Sequence, residues 1–124
     1  MLIEGLYTII DFKQEGSQVN ALVKLDKDHE VFKGHFPGNP VMPGVCMIQM
    51  IKELTEKATG SVLFLSVASN IKFMAIINPV INDTIQLVLN ITVENDTVKV
   101  KNTVSFEDTL ALKLGATFKI IGKI

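Results

Sequence analysis

Apolar and polar positions alternate along most of this chain, and the alternation fails over one stretch in its first half. Residues 1–12 are apolar and β-branched, and Gln14-Glu15-Gly16-Ser17 reads as a turn. Residues 18–26 place Val19, Ala21, Val23 and Leu25 on one face, with Asn20, Lys24 and Asp26 mostly on the other. The chain therefore opens with two strands. After residue 60 a period of two returns. Residues 62–73 alternate or run apolar, and 84–93 set Ile85, Leu87, Leu89, Ile91 and Val93 on one face. Residues 97–106 set Val98, Val100, Val104 and Phe106 against Lys99, Lys101, Thr103 and Ser105. Residues 109–121 do the same with Leu110, Leu112, Leu114, Phe118 and Ile120, and Asn95-Asp96 reads as a hairpin turn.

Two segments break this rhythm. Residues 27–44 hold Gly34, Gly38, Gly44, Pro37, Pro40 and Pro43, a density that excludes a regular strand or helix and reads as a loop of fixed path. Residues 44–58 then read as a helix. Val45-Cys46-Met47-Ile48-Gln49-Met50-Ile51 is apolar nearly all round, which marks a buried helix, and Gly60 is its stop. A curved antiparallel sheet wrapped around that helix supplies the cover it needs. The pattern predicts one α+β domain over 1–124. Because one helix covers only one face, the domain is expected to be oligomeric.

Composition narrows the function. Net charge is −1, and all 12 basic residues are lysines. An arginine-free, near-neutral chain lacks the basic stripes and bidentate forks of nucleic-acid binders. The single cysteine, Cys46, excludes an intrachain disulfide and a cysteine-based zinc site, and the two histidines leave little for a metal. The start Met1-Leu2-Ile3-Glu4-Gly5 has no basic region of a secretory signal, and no run approaches ~18 apolar residues, so no membrane span is expected. The expected compartment is the cytosol.

The chemistry gathers in the loop. His35 stands between Gly34 and Phe36, and the loop delivers Gly44 to the start of the helix. Amides in a helix's first turn are unpaired donors with added partial positive charge, suited to a carbonyl oxygen that becomes negative. A histidine with a pKa near ~6.5 takes a proton at neutral pH. A base beside an oxyanion site suits proton removal next to a carbonyl, or acyl transfer. The plain alternative is a loop histidine that only fixes backbone.

The run His35-Phe36-Pro37-Gly38-Asn39-Pro40-Val41-Met42-Pro43-Gly44-Val45 resembles the signature of the hotdog-fold 3-hydroxyacyl-[acyl-carrier-protein] dehydratases of the FabZ/FabA type. The similarity extends back over Glu30-Val31-Phe32-Lys33-Gly34 and returns weakly at Ile71-Lys72-Phe73 with Pro79. The order of strands and helix matches a hotdog over essentially the full chain. The resemblance implies that His35 removes the α-proton of a 3-hydroxyacyl thioester and that the Gly44 amide binds the thioester carbonyl. It implies Phe36, Pro43, Val45 and Phe73 as substrate contacts. It implies no cofactor, an acyl carrier protein as the bearer of the substrate, and a homodimer or trimer of dimers whose sites are shared between subunits.

The departure lies on the helix. Counting from His35, the family's helix carboxylate falls on position 49, which here is Gln49. A glutamine holds a hydroxyl or a water but does not exchange a proton as a carboxylic acid does. One turn later, where the family often has glutamine, this chain has Glu53. The pair looks exchanged, and Glu53 is a candidate substitute acid, although Lys52 beside it suggests a paired or solvated carboxylate. The alternative function is a non-catalytic hotdog subunit that binds acyl chains or acyl carrier protein, or that pairs with an active, acid-bearing dehydratase and serves one half-site. A hotdog thioesterase is a weaker one. Other residues carry plainer readings. His29 reads as a turn residue and Cys46 as a small core hydrophobe. Met42, Met47, Met50 and Met74 read as core filling or an acyl tunnel. Lys33, Lys72, Lys119 and Lys123 read as a solvated face or a carrier-protein contact.

Overall fold

The structure is a computed structural model and describes residues 4–33 and 40–124. The elements run β1 (Tyr7–Glu15), β2 (Gln18–Leu25), a 3-10 turn (Glu30–Phe32), α1 (Gly44–Thr59), β3 (Ser61–Phe73), β4 (Thr84–Glu94), β5 (Thr97–Phe106) and β6 (Thr109–Lys123). The strands form one curved antiparallel sheet in the order β1-β2-β4-β5-β6-β3, and α1 packs against it. This is the α+β hotdog architecture that the pattern and the resemblance predict.

Alternation decides the core. The helix-side positions Val19, Ala21, Val23, Ile85, Leu87, Leu89, Val98, Val100, Val104, Leu112, Leu114 and Phe118 are all buried, against Cys46, Met47, Met50, Ile51 and Leu54 of α1. Each fully buried side chain of this size contributes roughly 1.5–3 kcal/mol. Proline stops and glycine caps fix the ends of α1. Pro43 stands at the N-cap, and Gly60 takes φ 67°, donating its N–H to Glu56 O at 2.8 Å. The Glu56 carboxylate accepts the Leu63 N–H at 2.8 Å and fastens the helix end to β3.

Three expectations need correction. The first strand begins at Tyr7 and continues through Gln14 and Glu15, which pair with Val19 and Gln18, so the turn shrinks to Gly16-Ser17. An edge strand needs only its ladder, so polar residues do not end it. The loop over 27–44 contains a 3-10 turn, closed by a histidine side chain rather than by an apolar pattern. Finally, α1 is buried on one face, not all round. Val45 is 69 % exposed, and Ile48, Gln49, Lys52 and Glu53 are half-buried.

Candidate active site at the start of helix α1

The chain that leads into α1 is tied to the segment after β3. Met42 N–H donates to Ile77 O at 2.9 Å, and Met74 N–H donates to Ala111 O at 2.8 Å. Between them lies an apolar pocket of about 460 Å³, lined among others by Met42, Pro43, Gly44, Met47, Phe73 and Met74. Gly44 opens the helix beneath the Phe73 ring, so closely that a Cβ there would sit 3.0 Å from Phe73 Cζ. Pro43 gives the helix no side-chain cap. First-turn amides, which have no partner within a helix, are thereby set at the rim of an apolar cavity. A thioester's carbonyl needs such donors and its acyl chain needs such walls.

Met42, Met47 and Met74 line this pocket, while Met50 is fully buried in the core. Pro43 and Phe73 line it as well. Val45 does not: a turn of 3.6 residues carries it to the open flank of the helix. His35 and Phe36 lie outside the described residues. His29 is a turn residue. Its Nδ1 accepts the Val31 N–H at 3.0 Å, and Nε2 lies 2.9 Å from Glu4 O, an arrangement that suits the neutral ring protonated on Nε2. Cys46 is buried, and burial pushes its thiol up, away from the thiolate a nucleophile requires.

Gln49 sits about 140° round the helix from Gly44 and does not line the pocket. Its Nε2 donates to Glu53 Oε2 at 3.0 Å, and Tyr7 OH donates to Glu53 Oε1 at 2.7 Å. Both carboxylate oxygens of Glu53 thus serve as acceptors, one on its own helix and one from strand β1. Because a carboxylate accepts and the amide nitrogen donates, Gln49 is held with its carbonyl oxygen turned away from Glu53. The Tyr7 phenol is pushed well above its usual value, mainly by burial and then by the Glu53 carboxylate. Lys52 does not pair with Glu53; among the described residues the one ion pair joins Lys13 and Asp11. Sequence reasoning missed Tyr7. Forty-six residues separate it from Glu53, and only the helix-side phase of the first strand hints at its direction. Among the described residues no group of three or more His, Cys, Asp or Glu side chains is placed to hold a metal, and no helix is long and apolar enough to cross a membrane.

The model of the ApeI-like family, described as ApeI dehydratase, matches residues 11–112. The chain belongs to the ApeI-like dehydratase family. This ApeI-like chain is 31 % identical over 117 residues to a 3-hydroxyacyl-[acyl-carrier-protein] dehydratase FabZ of Lactobacillus helveticus, covering 88 % of this chain and 78 % of that protein. Among solved structures it is similar to the dehydratase heterocomplex ApeI:P from Xenorhabdus doucetiae, with a TM-score of 0.76 at 20 % identity over 90 % of this chain and 96 % of that one. It is also similar to a hypothetical thioesterase of Streptococcus pneumoniae solved with coenzyme A, with a TM-score of 0.65 at 15 % identity over 97 % and 92 % of the two chains. These two structures share its fold.

Proposed function

We propose that this ApeI-like chain is a hydro-lyase that interconverts a 3-hydroxyacyl thioester and its enoyl thioester, with an acyl carrier protein as the bearer. The observation that carries this reading is the helix start: Gly44 amide donors at the rim of an apolar pocket, overhung by Phe73. The thioester carbonyl sits on those donors, which stabilise the charge that develops as the α-proton leaves. His35 takes that proton, the bond between carbon and hydroxyl breaks, and a double bond forms. The leaving hydroxide needs a proton, and the amide of Gln49 has no acidic one to transfer. In this chain the imidazolium formed at His35 returns its proton to the hydroxide, directly or across a water held by Gln49. Water and the enoyl thioester then account for every atom.

The pocket and the Gln49–Glu53 pair lie on different sides of α1. This separation supports a site completed by a second subunit, docked along the exposed edge strand β3. A second reading follows from Gln49: an acid-bearing partner chain supplies the missing proton donor. The relative solved as a dehydratase heterocomplex is consonant with such an arrangement.

Product analysis by mass spectrometry tests the proposal. Incubation of the chain with a 3-hydroxyacyl thioester is expected to give an enoyl thioester lighter by one water. Release of free acid and thiol instead would mark a thioesterase. Turnover that appears only after an acid-bearing dehydratase is added would establish the heteromeric reading.

A further inference from the structure

On the face of the sheet turned away from α1, a second groove of about 460 Å³ is lined by Lys72, Lys101, Lys113, Asn70, Asn90 and Thr103 among others. The strand ladder brings the three lysines together. Lys72 stands directly opposite Lys113 between β3 and β6, Thr103 stands opposite Lys113 between β5 and β6, and Lys101 lies one diagonal step from it. Like charges at opposed positions of a ladder destabilise a sheet. Among the described residues no carboxylate lines the groove, and the one ion pair is elsewhere. The chain as a whole is slightly acidic, so this concentration of unneutralised ammonium groups is local. Three point-charge donors with amide and hydroxyl groups between them fit the oxygens of a phosphate.

We propose that this groove holds the phosphate of the arm that carries the substrate; the inference rests on the thioester reading above. The link is the end of β3. Lys72 and Phe73 are neighbours, and alternation sends Phe73 to the acyl pocket and Lys72 to the opposite face. One strand end therefore serves both the apolar and the anionic parts of one ligand. The shared chemistry is a phosphate ester, which coenzyme A and a carrier protein's phosphopantetheine both present.

Isothermal titration of the full chain with coenzyme A, 3′-dephospho-coenzyme A and phosphate-free pantetheine tests this. Coenzyme A is expected to bind and pantetheine not to. The double variant Lys101→Glu/Lys113→Glu should weaken that binding by about tenfold or more, while Lys99→Glu, with the same sign of charge change on the same face, should alter it by less than about twofold. Equal binding of coenzyme A and the dephospho form assigns the groove to the phosphate at the root of the arm, the one a carrier protein also has. Binding of coenzyme A but not of the dephospho form would place the nucleotide 3′-phosphate in the groove and overturn its assignment to the arm. Lys101→Gln, a milder change read the same way, serves if the double variant does not fold. Coenzyme A that fails to bind, or that binds the lysine variants as tightly as wild type, overturns the proposal. The dehydratase reading is tested separately on an N-acetylcysteamine thioester, which has no phosphate. Its turnover should be the same in wild type and lysine variants, and its absence would count against the dehydratase alone.

Discussion

Glu53 is the residue on which the chemistry of the helix flank turns. It accepts hydrogen bonds from Tyr7 at 2.7 Å and Gln49 at 3.0 Å, so its oxygens are already committed to holding β1 and orienting an amide. Tyr7→Phe keeps the ring and removes one donor, and should lower stability by about 1 kcal/mol in urea unfolding. It should also change the response to alkali. The phenol's folded value is raised above its ordinary 10.0, so its protonated form is worth most in the fold. That contribution is complete below pH 10 and is lost as pH rises towards the folded value, because the unfolded chain then releases a proton that the fold retains. The stability difference between wild type and Tyr7→Phe should therefore shrink above pH 10. A difference that stays constant above pH 10 would mean that the fold does not raise the phenol's pKa. Position 49 was legible through the family resemblance, by counting from His35. The clamp on Glu53 was not, because nothing local in Tyr7-Thr8-Ile9 marks a partner so far along the chain.

The start of helix α1 forms part of the wall of an apolar pocket. Pro43 and Gly44 end the loop, and the absent Cβ at Gly44 admits the Phe73 ring. Gly44→Ala would place a methyl 3.0 Å from Phe73 Cζ. The ring is 57 % exposed and free to swing outward, so stability should fall by less than about 1 kcal/mol. Enoyl formation should fall much further, because the displaced ring no longer closes over the pocket. Pairing Gly44→Ala with Phe73→Leu should restore part of the rate; no recovery would mean that the methyl acts on the amide itself. At the other end, Gly60 holds φ 67°, and Gly60→Ala should cost about 1–2 kcal/mol in thermal unfolding. Both helix ends were legible from Pro and Gly. The buried side was not. A run that is apolar nearly all round predicts full burial, yet the flank carrying Val45, Gln49 and Glu53 is only partly covered within one chain. Asn102 shows the same limit in a strand. It interrupts Val100 and Val104, and the structure still sets it inward, with Nδ2 donating to Val88 O and Oδ1 buried without a partner among the described residues.

At the scale of the whole molecule, the sheet ends in an edge that invites pairing. β3 is 13 residues long, pairs only with β6 among the described residues, and exposes Phe64, Val67 and Ile71. Long apolar edges of this kind are normally covered or blunted by charge. Sedimentation velocity should find the wild-type chain as a dimer, and Val67→Lys with Ile71→Lys should shift it towards monomer with its circular dichroism intact. A monomeric wild type would refute edge pairing. The sheet order itself was not legible, since alternation fixes which face a residue takes but not which strand lies beside it. Antiparallel hairpins account for the β1-β2 and β4-β5-β6 neighbours, whereas the place of β3 at the far edge beside β6 depends on α1, which carries the chain from β2 across the sheet to β3.

The proposed reaction runs through His35 and the Gly44 amide, without a carboxylic acid at position 49. The most direct test is the initial rate of interconversion between a 3-hydroxyacyl and an enoyl thioester, compared between wild type, His35→Ala and Gln49→Glu. Slow turnover by wild type is expected, with its loss in His35→Ala and a gain of at least about tenfold in Gln49→Glu, part of the 10²–10⁴ that general acid catalysis supplies. A wild-type rate that survives His35→Ala, or silence in wild type and Gln49→Glu alike, would contradict it.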